Sequence, residues 1–156
     1  MIGSGLTSLL VPDSRFDLER FVSAQDAGGT YQRALGELRR GRKESHWMWF
    51  VFPQLAGLAR SAISARYAIS SLEEAREYLA HPVLGARLVE CAKAVAAAPA
   101  GASAEDVFGP VDALKLRSSM TLFLRADPDQ GAFAEVLRRW WGGIPDAATD
   151  TLLTRG

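Results

Sequence analysis

One stretch, Gly41-Arg42-Lys43-Glu44-Ser45-His46-Trp47-Met48-Trp49-Phe50-Val51-Phe52-Pro53-Gln54, constrains the fold more than any other. It holds two of the four tryptophans and one of the two histidines. From Trp47 to Phe52 every residue is large and apolar, so the segment has no polar side and must be buried on most sides. Pro53 stops it. Periodicity alone does not separate a short buried helix from a buried strand. The flanking sequence is helical in pattern, so a helix over residues 45–52 is expected, with His46, Trp49 and Phe50 on one face. The remainder of the chain has to wrap this segment.

That wrapping reads as helical throughout. Leu18, Phe21, Val22 and Gln25 fall at i, i+3, i+4 and i+7 of a first helix opened by Asp17. An amide holds the fourth place of that apolar stripe. A buried amide needs partners, so Gln25 either ties down backbone or meets a ligand. After Gly28-Gly29, a second helix carries Tyr31, Ala34, Leu35 and Leu38. It ends in Arg39-Arg40-Gly41, basic residues at the negative helix end with a glycine beyond. Arg42 and Lys43 lie past that stop and need another explanation.

Ser61 to Tyr67 suits a short helix. Ser71-Leu72-Glu73-Glu74 has capping-box form and opens a helix with Leu72, Ala75 and Leu79 inward, ended by His81-Pro82. Leu84, Leu88, Cys91 and Val95 form the next stripe, which makes Cys91 a core residue. Ser103-Ala104-Glu105-Asp106 caps a short turn before Gly109-Pro110. A longer helix is expected from Val111 to Arg125, then one burying Phe133, Val136, Leu137 and Trp140, and a final short one over residues 146–154. No hairpin chemistry and no internal repeat appear. The fold class is all-α: a single irregular multihelical domain of short helices around the Trp-rich segment, covering residues 16–156. Residues 1–15 read as a flexible N-terminal extension without the features of a signal peptide.

Composition narrows the function. Lys plus Arg and Asp plus Glu both number 18, so no net charge draws the chain to nucleic acid or to an anionic membrane. The Arg39–Lys43 cluster is the only pointer towards nucleic acid, and such binding is not expected. No apolar run reaches the roughly 18 residues of a membrane span. A lone cysteine fits a reducing cytoplasm, and the chain reads as a cytoplasmic monomer. The histidines and the cysteine are too dispersed for a zinc site, and no phosphate-binding glycine loop or nucleophile elbow is present. No metal and no cofactor is expected.

Two places remain where chemistry is plausible by residue type. In the Trp-rich stretch, Ser45, His46 and Gln54 supply polar groups, Trp49 a flat apolar wall, and Arg42 and Lys43 cations. His46 has an acid–base range near neutrality and is the candidate catalytic residue; it reads equally as a hydrogen-bonded core histidine. In the second stretch, Asp112, Lys115 and Ser119 align at i, i+3 and i+7, flanked by Leu116, Leu122 and Phe123. The line is either an ion pair on a solvated edge or a pocket floor, with Lys115 facing an anion and Ser118 and Ser119 hydrogen-bonding. A triad of Ser118 or Ser119 with His46 and Asp112 rests on residue types alone.

Gly41-Arg42-Lys43, Ser45 to Phe50, Phe52-Pro53-Gln54, His81-Pro82-Val83-Leu84-Gly85, and Lys115 with Ser118 to Phe123 resemble a bacterial family of uncharacterised proteins. Some members carry the label "calpastatin", which nothing in these motifs supports. The resemblance is strong over residues 16–123 and looser beyond. It implies an all-helical, monomer-sized domain and no established activity, so no catalytic residue carries over. Ala59 departs from it, where a second glycine of a Gly-Leu-Gly turn is expected.

These motifs include polar residues that packing alone does not demand. The expectation is a pocket between residues 45–54 and 112–123 for a small anionic or nucleotide-like ligand, with hydrolysis or group transfer as the simplest chemistry. A non-enzymatic protein-interaction module, with structural motifs and a functional surface elsewhere, is the rival.

Overall fold

The computed structural model describes residues 15–58, 61–99 and 101–155. Of the expected N-terminal extension only Arg15 falls within them, ion-paired to Glu73 at 2.9 Å, and the irregularity expected at Ala59 falls outside. The elements are α1 (Glu19–Asp26), a 3-10 turn (Ala27–Gly29), α2 (Thr30–Arg40), α3 (Met48–Val51), α4 (Ala62–Arg66), α5 (Leu72–Ala80), α6 (Leu84–Ala96), α7 (Ala104–Phe108), α8 (Pro110–Ala126), α9 (Gly131–Trp141) and α10 (Ala147–Arg155). The class is all-α, as the periodicity predicts. A single parallel bridge joins Leu55 to Ile69, and no strand forms among the described residues.

Helix α8 is the axis. Pro110 starts it with a preset φ and no wasted donor, and its inner face buries Ala113, Leu116, Met120 and Phe123. Helices α5, α7, α9 and α10 all pack on α8, and α6 closes the far side against α2, α5 and α9. A chain of rings runs through the middle. Phe21 meets Tyr78 edge-on at 5.1 Å, Tyr78 meets Phe123 at 5.2 Å, and Phe123 meets Phe133 at 5.9 Å. Such pairs add about 0.5–1.5 kcal/mol each beyond the area they bury.

The helix ends and faces follow local chemistry with three corrections. Ser103 and Asp106 form the complete reciprocal box, each side chain bonding the other's N–H at 3.0 Å. At α5, Ser71 Oγ accepts from Glu74 N, but the Glu74 carboxylate turns to the preceding residue, taking the N–H of Ser70 at 2.7 Å and its hydroxyl at 2.8 Å. The inward face of α5 is accordingly Glu74, Ala75 and Tyr78, with Leu72 and Leu79 only half-buried. In α9, Trp140 is likewise half-buried rather than buried.

The His81–Gly85 motif is explained by packing. His81 Nδ1 accepts the N–H of Val83 at 3.1 Å and of Leu84 at 3.3 Å, capping α6. Gly85 lies so close to the end of α5 that a Cβ there would stand 2.1 Å from the carbonyl oxygen of Leu79. Backbone cannot yield as a side-chain tip can. Gly85→Ala is therefore expected to destabilise the protein by about 3 kcal/mol, read as a fall in the urea midpoint. An unchanged midpoint would show that α5 and α6 separate freely.

Candidate functional site

The 44–47 loop is built on a residue that periodicity did not single out. Glu37 lies on α2 and is only 2% exposed. Its Oε1 accepts the N–H of Glu44 at 2.8 Å, the N–H of Ser45 at 3.0 Å and the indole N–H of Trp47 at 2.8 Å. Its Oε2 accepts the Ser45 hydroxyl at 2.5 Å. Burial pushes this carboxyl up, but the donors from Ser45, Glu44 and Trp47 together outweigh it and lower its pKa from 4.5 to about 2. The chain reaches this position because Gly41 closes α2 at φ 76°, in the left-handed region that glycine adopts freely.

This hub changes the expected geometry of the Trp-rich stretch. The helix there is only Met48–Val51, and Ser45 to Trp47 stand ahead of it in a loop. The predicted face of His46, Trp49 and Phe50 does not form, because Trp47 is drawn back to Glu37 instead of continuing a helical turn. Trp47 is fully buried, edge-on to Phe108 at 6.5 Å. Trp49 is half-buried and turns the other way.

Around these two indoles sit two lysines and one carboxylate. Lys43 Nζ donates to the carbonyl of Ser45 at 2.6 Å, pairs with Asp112 Oδ2 at 3.0 Å and lies 5.0 Å from the Trp47 ring centre. Its side chain is 8% exposed, so this cation fixes the loop to α8. Lys115 Nζ stands 3.8 Å from Asp112 Oδ1, too far for a hydrogen bond, and 5.6 Å from the Trp49 ring centre.

Trp49, Gln54 and Lys115 line one narrow cleft together with Met48, Phe52 and Tyr67. Its volume is about 280 Å³ including the part open to solvent, and its interior has room for about one water. The far wall is held by Arg20. Its guanidinium donates to the carbonyls of Arg66 at 2.9 Å and Ala68 at 2.8 Å, and reaches within 3.2 Å of Glu74.

The other predicted residues are placed elsewhere or committed to the fold. Gln25 is buried with every group partnered: it donates to the carbonyl of Phe50 at 2.8 Å and to the Tyr78 hydroxyl at 3.2 Å, and accepts from Arg87 at 3.1 Å. Ser45 is held by Glu37. Ser118 bonds back to the carbonyl of Leu114 at 3.1 Å, within its own helix. Ser119 is fully buried, and its hydroxyl has no hydrogen-bond partner. Arg42 and His46 are exposed, and no described residue bonds the His46 imidazole. The basic cluster is divided: Arg39 pairs with Glu90 at 3.4 Å, Arg42 stands 4.0 Å from Glu44, and Lys43 is covered. Cys91 is buried, and burial pushes its thiol up to about 12, which suits a core residue. Among the described residues no group of three or more His, Cys, Asp or Glu is placed to hold a metal, and no helix is long and apolar enough to cross a membrane.

The chain belongs to the family described as protein of unknown function (DUF1810), which matches residues 15–153. It is similar to the conserved hypothetical protein Rv1873 from Mycobacterium tuberculosis, known from a crystal structure. The two share 52% sequence identity and superpose with a TM-score of 0.86, over 90% of this chain and 99% of that one. No curated protein matches.

The depressed Glu37 carboxyl predicts an acid-sensitive fold. A carboxyl lowered from 4.5 to about 2 stabilises the folded state above the unfolded value, and this contribution is lost as the pH falls from 4.5 through 2. Glu37→Gln is expected to cost about 3 kcal/mol at neutral pH. Urea unfolding of wild type and variant should show that difference closing as the pH drops through this window; a constant gap would mean the carboxylate is not the anchor.

Proposed function

We propose that this protein binds a small anionic or nucleotide-like molecule in the cleft between residues 45–54 and 112–123. The observation that carries the reading is the pairing of Lys115 with Trp49. A half-buried indole and an ammonium group without a hydrogen-bonded carboxylate face the same cleft. A flat apolar wall with few convergent polar groups is the usual lining of a small-molecule site, and because the interior holds about one water, a ligand enters this cleft only as the Lys115 side chain moves aside. Gln54 adds an amide that no described side chain or backbone group satisfies.

The role of Lys43 in this reading is to neutralise Asp112 and hold the loop, not to touch ligand. Gln25, Ser45 and Ser118 support the walls. A hydrolase or transferase step would fall to His46 as the acid–base group. No described carboxylate orients its imidazole, however, and an oriented base is the mark of such sites. Binding is therefore the core of the proposal.

The rival, a protein-interaction module, is favoured by a different observation. Val111 and Leu114, one turn apart on α8, are 65% and 60% exposed, and Ile144 is 62% exposed. Arg117 links them, donating to the carbonyl of Ile144 at 2.9 Å and lying over Trp141.

A thermal-shift screen of nucleotides, sugar phosphates and small organic acids separates the two. A ligand at 100 times its dissociation constant should stabilise the wild type by about 2.7 kcal/mol. Lys115→Ala is expected to abolish that shift while leaving the unliganded midpoint nearly unchanged. Silence across the library with both proteins folded would overturn the binding reading in favour of the interaction module.

A further inference from the structure

The charge arrangement in the cleft is specific enough to define a narrower ligand class, granted that the cleft is the binding site. Two ammonium groups share one carboxylate. Asp112 is engaged by Lys43 at 3.0 Å, and Lys43 is further fixed by the Ser45 carbonyl and the Trp47 ring. The negative charge of Asp112 is thus already matched by a cation that cannot leave. Lys115, at 3.8 Å, is surplus. It is the one charged residue among the described residues that line the cleft. Arg66 packs over Tyr67 at 5.5 Å but is not part of the lining. The cleft therefore offers one net positive charge.

The position of that charge matters as well. Lys115 Nζ lies over the Trp49 ring, 5.6 Å from its centre, and the cleft interior has room for about one water, so a ring reaches this indole face only when the Lys115 side chain moves aside. A ligand that attracts Lys115 towards an anionic group uncovers the indole face in the same movement. Gln54, whose side-chain amide has no described partner, can then donate to and accept from a polar ring edge.

We infer that the cleft recognises a planar aromatic or heteroaromatic monocarboxylate: its ring replaces the Lys115 ammonium on Trp49 and its carboxylate pairs with the displaced Lys115. A phosphomonoester carries about 1.5 to 2 negative charges, and a polyphosphate carries more, beyond what one free lysine balances. A ring without an anion would displace Lys115 from the indole and leave it only Asp112, which Lys43 already engages.

Tryptophan fluorescence titrations test this with nicotinate and indole-3-carboxylate, their neutral amides, and AMP and ATP. The acids are expected to bind about tenfold or more tightly than the amides, with a salt dependence matching about one ion pair. AMP and ATP should bind no more tightly than the acids. Lys115→Met should erase the preference for acid over amide, and Lys115→Arg should keep it. Tighter binding of ATP than of the acids, by about tenfold, would overturn the monocarboxylate class while leaving the cleft as the site, and would point to Arg66 as a second cation. Equal binding of acids and amides would also overturn it. No response to any ring compound, with the protein folded, would sink both the class and the site. The comparison of acids with amides uses wild-type protein alone, so it stands even if a Lys115 variant fails to fold.

Discussion

A buried carboxylate with four donors aimed at it organises the centre of this protein. Glu37 sits on a helix face that otherwise packs apolar side chains, and an uncompensated charge there would cost several kcal/mol. Two backbone N–H groups, a hydroxyl and an indole N–H from one loop remove that cost. In return, the loop from Glu44 to Trp47 has a single conformation available to it. Everything downstream depends on this. Trp47 is held in the interior, α3 starts one residue later, and Trp49 is left facing outward.

Seen this way, the two tryptophans do opposite work. Trp47 is a core residue with a polar handle, satisfied where buried indoles usually must be. Trp49 makes no hydrogen bond to a described residue and is not fully covered. The two lysines divide similarly: Lys43 is immobilised by a carbonyl, a carboxylate and a ring, and among the described residues the Lys115 ammonium has no polar partner closer than 3.8 Å. Asp112 is the pivot of both pairs. One carboxylate on the first turn of α8 therefore anchors the loop and leaves a second cation with unspent charge.

The architecture was legible wherever a local rule governs. The stripes of α1, α2 and α6, that of α9 apart from Trp140, the Ser103–Asp106 box and the glycine after α2 are all written within a few residues of where they act. Pro110, read as the end of the preceding turn, instead starts α8. The failures in the Trp-rich stretch share one cause. The short length of α3, the placement of His46 outside it and the burial of Glu37 follow from contacts between Glu37 on α2 and loop residues seven to ten positions later, which have no period to detect. A glutamate in a helix normally reads as solvated. The one available hint was the density of N–H and O–H donors in Ser45-His46-Trp47, which implies an acceptor somewhere. Gln25 was legible as buried, but whether its partners were backbone or ligand depended on Phe50, Tyr78 and Arg87, and no spacing rule connects those four residues.

The same contrast bears on where function lies. Through most of the interior, local preference, packing and hydrogen bonding agree, and buried polar groups such as Gln25, Glu37 and Thr149 have their partners. Agreement across levels is what a sequence needs in order to specify one fold, and departures from it concentrate at functional sites. Two departures meet at the cleft: an ammonium beside a carboxylate already in use and an indole face left partly open. The unpartnered hydroxyl of Ser119 lies fully buried outside that lining, and the unpartnered indole N–H of Trp140 lies on α9. Neither group at the cleft completes a hydrogen bond to a described residue. A free cation and an open indole face standing together at one cleft, where neither completes the hydrogen bonding of the fold, are the physical basis of the binding proposal.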